Sequence, residues 1–195
     1  MLHSKISCVR HSTKGPGLVS VFPSPGNRSR GLLRCGALTF PCALGRSGLA
    51  WLKREGDGAT PAGRYPLLSL IVRRDRLPGP ATRVPARAMR RDEGWCEDVT
   101  SGLYNRPVRL PSPAGHESMW RDDRLYDIVG VLGWNIRPRV RRRGSAIFLH
   151  LCRDGFGPTA GCVALRGNDL KRLLAVIGPR TEFVVGAPPR RRRSE

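Results

Sequence analysis

The sequence has no Cys-x-x-Cys pair, no apolar run of membrane-spanning length and few acidic groups. Its six cysteines (Cys8, Cys35, Cys42, Cys96, Cys152 and Cys162) are too sparse for a disulfide scaffold. Without paired spacing they do not read as a structural zinc module, and no metal or cofactor is expected. The lack of a long apolar run excludes a helical membrane span. The first residues, MLHSKISCVRHSTKGPG, are polar and basic and contain no apolar signal core. Aromatic residues make up 6% of the chain, and only four of its thirty-five basic residues are lysines. Against fifteen carboxylates this leaves a net charge of +20, carried almost wholly by arginine. Such a charge suits an anionic partner: a cell-wall polymer, a membrane surface or a nucleic acid. The arginines are scattered and not interleaved with aromatics, which argues against a base-stacking nucleic-acid surface. Solvated guanidinium groups without a partner remain the plain alternative.

A chain of 195 residues is long enough for one domain with a real core. Residues 1–16 read as a loose leader, 17–186 as the folded domain and 187–195 as a basic, disordered tail. Short strands are expected at Leu18 to Phe22, Gly31 to Cys35 and Ala37 to Leu44, separated by turn clusters. The segment EGDGATPAG, from Glu55 to Gly63, carries two turn signals and leads into a strand from Tyr65 to Val72. Residues 73–91 hold seven arginines and three prolines without a period, as in a surface loop. In the irregular stretch that follows, Tyr104, His116 and Trp120 are candidates for the border of a binding cleft, with a short helix from Glu117 to Leu125. Leu125 to Trp134 alternates as a strand, and five arginines between Ile136 and Gly144 form a basic turn. Leu170, Leu173, Leu174 and Ile177 repeat at helical spacing after Asn168, a suitable N-cap, and Gly178-Pro179 ends that helix. A last strand runs from Thr181 to Val185. The fold class is therefore mostly β with one or two short helices.

The chemistry concentrates in SAIFLHLCRDGFGPTAGCVALR, Ser145 to Arg166. Alternation puts Ile147, Leu149 and Leu151 on one face of a strand and Phe148, His150 and Cys152 on the other. A Gly- and Pro-rich loop then delivers Cys162 just after Gly161. A cysteine near a histidine is a candidate nucleophile–base pair, because the thiolate is the reactive form and an imidazole can take its proton. Gly161 allows close backbone approach, and main-chain N–H groups at Gly161 and Cys162 could hold an oxyanion. The plain reading of Cys162 is a buried structural thiol. Cys152 reads as core filler, as the partner of Cys162 in a reversible disulfide, or with His150 and Cys162 as an incomplete metal set.

The turn Thr159-Ala160-Gly161-Cys162, with His150 upstream, resembles the signature of the L,D-transpeptidase (YkuD-type) catalytic domain family. The Glu55 to Gly63 segment resembles a second stretch of the same family. Ala160 stands where many members have a second His. Ala164 stands where they have an Arg or Asn, and Arg166 is the candidate replacement. The His-to-Cys interval of twelve residues is shorter than in typical members, and the turn is closer to that of a bacterial subgroup with a plain Thr-x-Gly-Cys sequence. The resemblance implies a YkuD-like β-sandwich over residues 17–186 with Cys162 as nucleophile, His150 as base and Thr159 and Gly161 shaping the turn. It implies a peptidoglycan stem tetrapeptide as substrate, attack on its third residue with release of D-Ala, and transfer of the acyl group to a neighbouring amine. A hydrolase with water as acceptor, and a non-catalytic Arg-rich nucleic-acid binder, are the alternatives. The family implies the periplasm or cell envelope, whereas the missing signal core leaves the cytoplasm open.

Overall fold

A computed structural model describes residues 17–186. The leader and tail read from the sequence lie outside the described residues. In chain order the strands are β1 (Leu18–Ser24), β2 (Asn27–Cys35), β3 (Leu38–Ala43), β4 (Leu49–Ala50), β5 (Thr60–Pro61), β6 (Gly63–Val72) and β7 (Ala86–Ala88). They continue as β8 (Glu93–Cys96), β9 (Pro107–Arg109), β10 (His116–Ser118), β11 (Ile128–Leu132), β12 (Phe148–Leu151) and β13 (Val163–Leu165). Helix α1 (Gly167–Val176) and strand β14 (Glu182–Val185) complete the described chain. The fold is mostly β, with one α-helix and one 3-10 turn (Asp154–Phe156) among the described residues.

The large sheet runs β11-β12-β13-β3-β2-β1-β14-β6-β7, and β11 also pairs with β6. The strands from β11 to β6 therefore close into a ring around the main core, with β7 attached outside it on β6. The residues that alternate inward supply that core: Val19 and Val21, Leu33 and Cys35, Phe40 and Cys42, Tyr65 and Leu67, and Ile147 and Leu149. Leu170, Leu173, Leu174 and Ile177 of the α1 segment join the same core, as their spacing requires. Helix α1 starts two residues earlier than an N-cap at Asn168 implies: Arg166 holds the N-cap position without a side-chain cap.

Strand β11 is buried along its whole length. Ile128 and Leu132 enter the main core, while Val129 and Val131 join a second cluster with Phe148, Trp95, Met119 and Tyr126. This second cluster lies where the small sheet β10-β8-β9 and its loops cover the outer face of β11 and β12. An apolar face on both sides of a strand needs two covers, which explains the continuous run IVGVL.

The helix expected from Glu117 to Leu125 is not formed. His116–Ser118 is β10, paired with β8, and the chain then turns. Two local features hold it out of the helix. The Glu117 carboxylate accepts the Tyr126 hydroxyl at 2.5 Å, and Asp123 accepts both the Leu125 N–H and the Arg121 guanidinium. Short polar side chains that bond nearby backbone compete with helix in this way.

Candidate active site

Strands β12 and β13 run parallel, with His150 opposite Ala164. Cys162 lies one residue before β13 and shares the parity of Ala164, so its side chain emerges on the face that carries His150. The alternation read from the sequence thus brings both residues to the same, outer face. The turn that delivers Cys162 is fixed at several points. Thr159 donates its N–H to the Leu44 carbonyl, and its own carbonyl accepts the Arg46 N–H, both at 2.9 Å. Its hydroxyl accepts the Gly161 N–H at 3.1 Å and donates to the Cys162 carbonyl at 2.7 Å. The Gly161 N–H, a candidate oxyanion donor on sequence grounds, is therefore engaged within the turn.

Gly161 has φ +146°, and a Cβ there would lie 2.9 Å from the Ala59 carbonyl oxygen. Ala59 belongs to the Glu55 to Gly63 segment, so the two stretches singled out in the sequence pack directly on one another. The Thr60 hydroxyl, on the same segment, lies 3.4 Å from the Cys162 carbonyl and accepts the Gly45 N–H at 2.8 Å. Asp57 organises that segment by accepting the N–H groups of Arg54 and Ala59 and the Lys53 ammonium.

The Cys162 sulfur is buried between two main-chain groups. It accepts the Phe148 N–H at 3.3 Å, and its S–H donates to the Ala146 carbonyl at 3.3 Å. Burial pushes the thiol up to about 12; the Glu117 carboxylate adds to the rise, and the Phe148 N–H and Lys53 oppose it. His150 is buried as well, which pulls its imidazole down to about 4. Its Nδ1 lies 2.8 Å from the Leu151 carbonyl. A carbonyl only accepts, so Nδ1 carries the proton and Nε2 is left as the basic nitrogen. The edge of Tyr126 packs on the imidazole with ring centroids 5.1 Å apart. At neutral pH the pair rests as thiol and neutral imidazole.

Cys162, His150, Thr159 and Gly161 all line one cavity of about 270 Å³. Its wall also carries the cations Lys53, Arg46 and Arg121 and the carboxylates Glu55, Glu97 and Glu117. None of these six was picked out from the sequence as a site residue. Lys53 and Glu55 did stand beside the turn motif, where a charged pair next to a Gly-Asp-Gly turn was a usable signal. Glu117, on β10, and Glu97 and Arg121, on the loops beside it, reach the cavity only through the covering small sheet. Glu97 and Glu117 are both raised above the ordinary carboxylate value, chiefly by burial.

Four candidates do not line this cavity. Tyr104 is fully buried behind it and donates its hydroxyl to Glu55. His116, at the start of β10, bonds the Ala114 carbonyl two residues back at 2.8 Å. The Trp120 ring lies under the Arg73 guanidinium, 3.5 Å from the ring centroid, and Arg166 stacks over Phe156 at 4.7 Å. Cys152 does line the cavity, and both it and Cys162 are free thiols. Among the described residues no group of three or more His, Cys, Asp or Glu side chains could hold a metal ion.

The family model for the L,D-transpeptidase catalytic domain, YkuD, matches residues 32–185. That span runs from within β2 to the end of β14 and contains both His150 and Cys162. No curated protein and no solved structure matches the chain.

Proposed function

The chain belongs to the YkuD family of L,D-transpeptidase catalytic domains, and from that premise we propose that it transfers acyl groups between peptidoglycan stem peptides through a thioester on Cys162. The observation that carries this reading is the shared cavity: a buried thiol just before β13 and, on the adjoining parallel strand β12, an imidazole with a basic Nε2 both face it.

In the first half-reaction His150 Nε2 takes the Cys162 proton as the sulfur attacks the carbonyl carbon of the third stem residue. Because thiol and imidazole both rest neutral, the proton moves only once substrate is present to be attacked. The oxyanion turns to the main-chain N–H of Cys162, the Gly161 N–H being held by Thr159. Collapse breaks the C–N bond, and the departing D-Ala amine takes the proton back from His150. In the second half-reaction an acceptor amine attacks the thioester and gives up a proton to His150, and the Cys162 sulfur leaves and is reprotonated. The cations of the cavity wall suit the carboxylate of the leaving D-Ala, and its carboxylates suit the amine of an acceptor. Such a substrate places the protein at the cell envelope; among the described residues no helix is long and apolar enough to cross a membrane.

The test is incubation with purified disaccharide-tetrapeptides, with products resolved by mass. Free D-Ala together with cross-linked dimers supports transpeptidation, and Cys162→Ala should abolish both. D-Ala release with tripeptide and no dimer would assign water as the acceptor. A folded protein that releases no D-Ala contradicts the reading.

A further inference from the structure

Beside the catalytic cavity lies a second, open groove of about 800 Å³, and the two share Lys53 and Glu55. One rim carries Trp51 and Leu52, adjacent in sequence and 68% and 86% exposed. Val140, 41% exposed, lies on the facing loop. Arg54, Arg141, Arg142 and Arg143 also line it, and all four are exposed.

What sets these arginines apart is their clustering beside exposed apolar side chains. Arg64, Arg73, Arg76, Arg87, Arg109 and Arg121 each pair with a carboxylate. Among the described residues no ion pair is made by Arg54 or by Arg141 to Arg143. The loop that presents them is built rather than loose. Asn135 donates to the carbonyls of Val140 and Gly144 and accepts the Val140 N–H. Trp134 Nε1 donates to the Arg143 carbonyl at 2.8 Å, and the Glu55 N–H donates to that of Arg142 at 2.8 Å.

We propose that this face docks on an anionic phospholipid surface, with Trp51 and Leu52 entering the headgroup boundary and the unpaired arginines meeting lipid phosphates. The mixture of groups decides the partner. A glycan or a nucleic acid has little use for an exposed leucine beside the tryptophan and a valine facing them. A lipid interface takes up apolar side chains, favours tryptophan at the headgroup level, and presents the phosphates that arginines bind. Docking here sets the mouth of the catalytic cavity beside the membrane surface. The inference does not rest on the acyl-transfer reading.

The experiment is sedimentation of the full chain with large vesicles, either phosphatidylglycerol/phosphatidylethanolamine or the uncharged phosphatidylcholine/phosphatidylethanolamine. The parent should partition onto the anionic vesicles at least about tenfold more strongly. The double variant Trp51→Ser/Leu52→Ser, at unchanged charge, should lose roughly tenfold or more of that binding. The triple variant Arg141→Gln/Arg142→Gln/Arg143→Gln should lose about as much. All these side chains are exposed, so circular dichroism and melting should match the parent, and turnover of a small soluble stem peptide should hold. Equal binding to both vesicle types, full binding by the apolar double variant, or binding to purified cell wall but not to vesicles would each overturn the proposal. An inactive parent that still shows the vesicle pattern would count against the acyl-transfer reading alone.

Discussion

The side-chain oxygen of Asn105 accepts the main-chain N–H of Ala146 at 3.2 Å, and the carbonyl of Ala146 in turn receives the Cys162 thiol. Ala146 stands at φ +50°, a conformation that a non-glycine residue keeps only when its surroundings hold it. Asn105 supplies much of that hold. It also accepts the Trp95 indole N–H at 2.9 Å and donates to the Asn135 carbonyl at 2.8 Å. A buried amide outside the cavity thereby sets the position of the sulfur.

Asn105→Ala removes these partners together and leaves buried polar groups unsatisfied. We expect a loss of at least about 2 kcal/mol of stability, and turnover per folded molecule reduced tenfold or more. Asn105→Asp keeps the acceptor but loses both N–H donors and buries a charge, so it should not rescue. Denaturant melts and turnover of the two variants check this.

The Thr159 hydroxyl bonds both the Gly161 N–H and the Cys162 carbonyl of the turn that carries Cys162. Thr159→Ser keeps that hydroxyl and should leave turnover within a few-fold of the parent. Thr159→Val keeps the shape but strands the Gly161 N–H, at a cost of about 1–3 kcal/mol, and should lower turnover at least tenfold. Equal activity of the two variants would show that the turn holds without the hydroxyl.

Acid sensitivity should carry the mark of His150. Its folded value, about 4, lies below the ordinary 6.5. Above pH 6.5 both folded and unfolded chains keep the ring neutral and its contribution is complete. Between 6.5 and 4 the unfolded chain takes up a proton that the folded chain refuses, so stability falls as pH falls. Asp57, Asp75 and Asp123 are lowered from 3.8, and their contributions fade only below this window. Glu97 and Glu117, raised from 4.5, act in the opposite direction inside it. The informative quantity is therefore the difference between parent and His150→Gln. The parent's melting temperature should drop more steeply from pH 7 to 4.5 than the variant's. Parallel curves would contradict the buried, neutral imidazole.

Much of this site was legible in the sequence because its key rule is parity. A strand with period two places His150 opposite Ile147 and Leu149, and the same parity carries Cys162 to the His150 face once β12 and β13 pair. The spacing of Leu170, Leu173 and Leu174 likewise needs only a helix to be read. Residues whose roles depend on distant partners were not legible. Trp120 has the look of a cleft aromatic, but Arg73, from the end of β6, covers its ring. Tyr104 and His116 are taken up by Glu55 and the Ala114 carbonyl. Conversely, Glu117 reaches the cavity because β10 replaces the expected helix, and Lys53 because Asp57 draws it inward. Such choices are made by tertiary contacts that no local pattern encodes.

The central claim is that Cys162, and not the neighbouring Cys152, carries the acyl group. Intact-protein mass after brief incubation with a stem tetrapeptide, followed by peptide mapping, tests it directly. The account predicts a gain equal to the tripeptide acyl group, mapped to Cys162, retained in Cys152→Ser and absent in Cys162→Ala. An adduct that maps to Cys152, or that persists in Cys162→Ala, would contradict it.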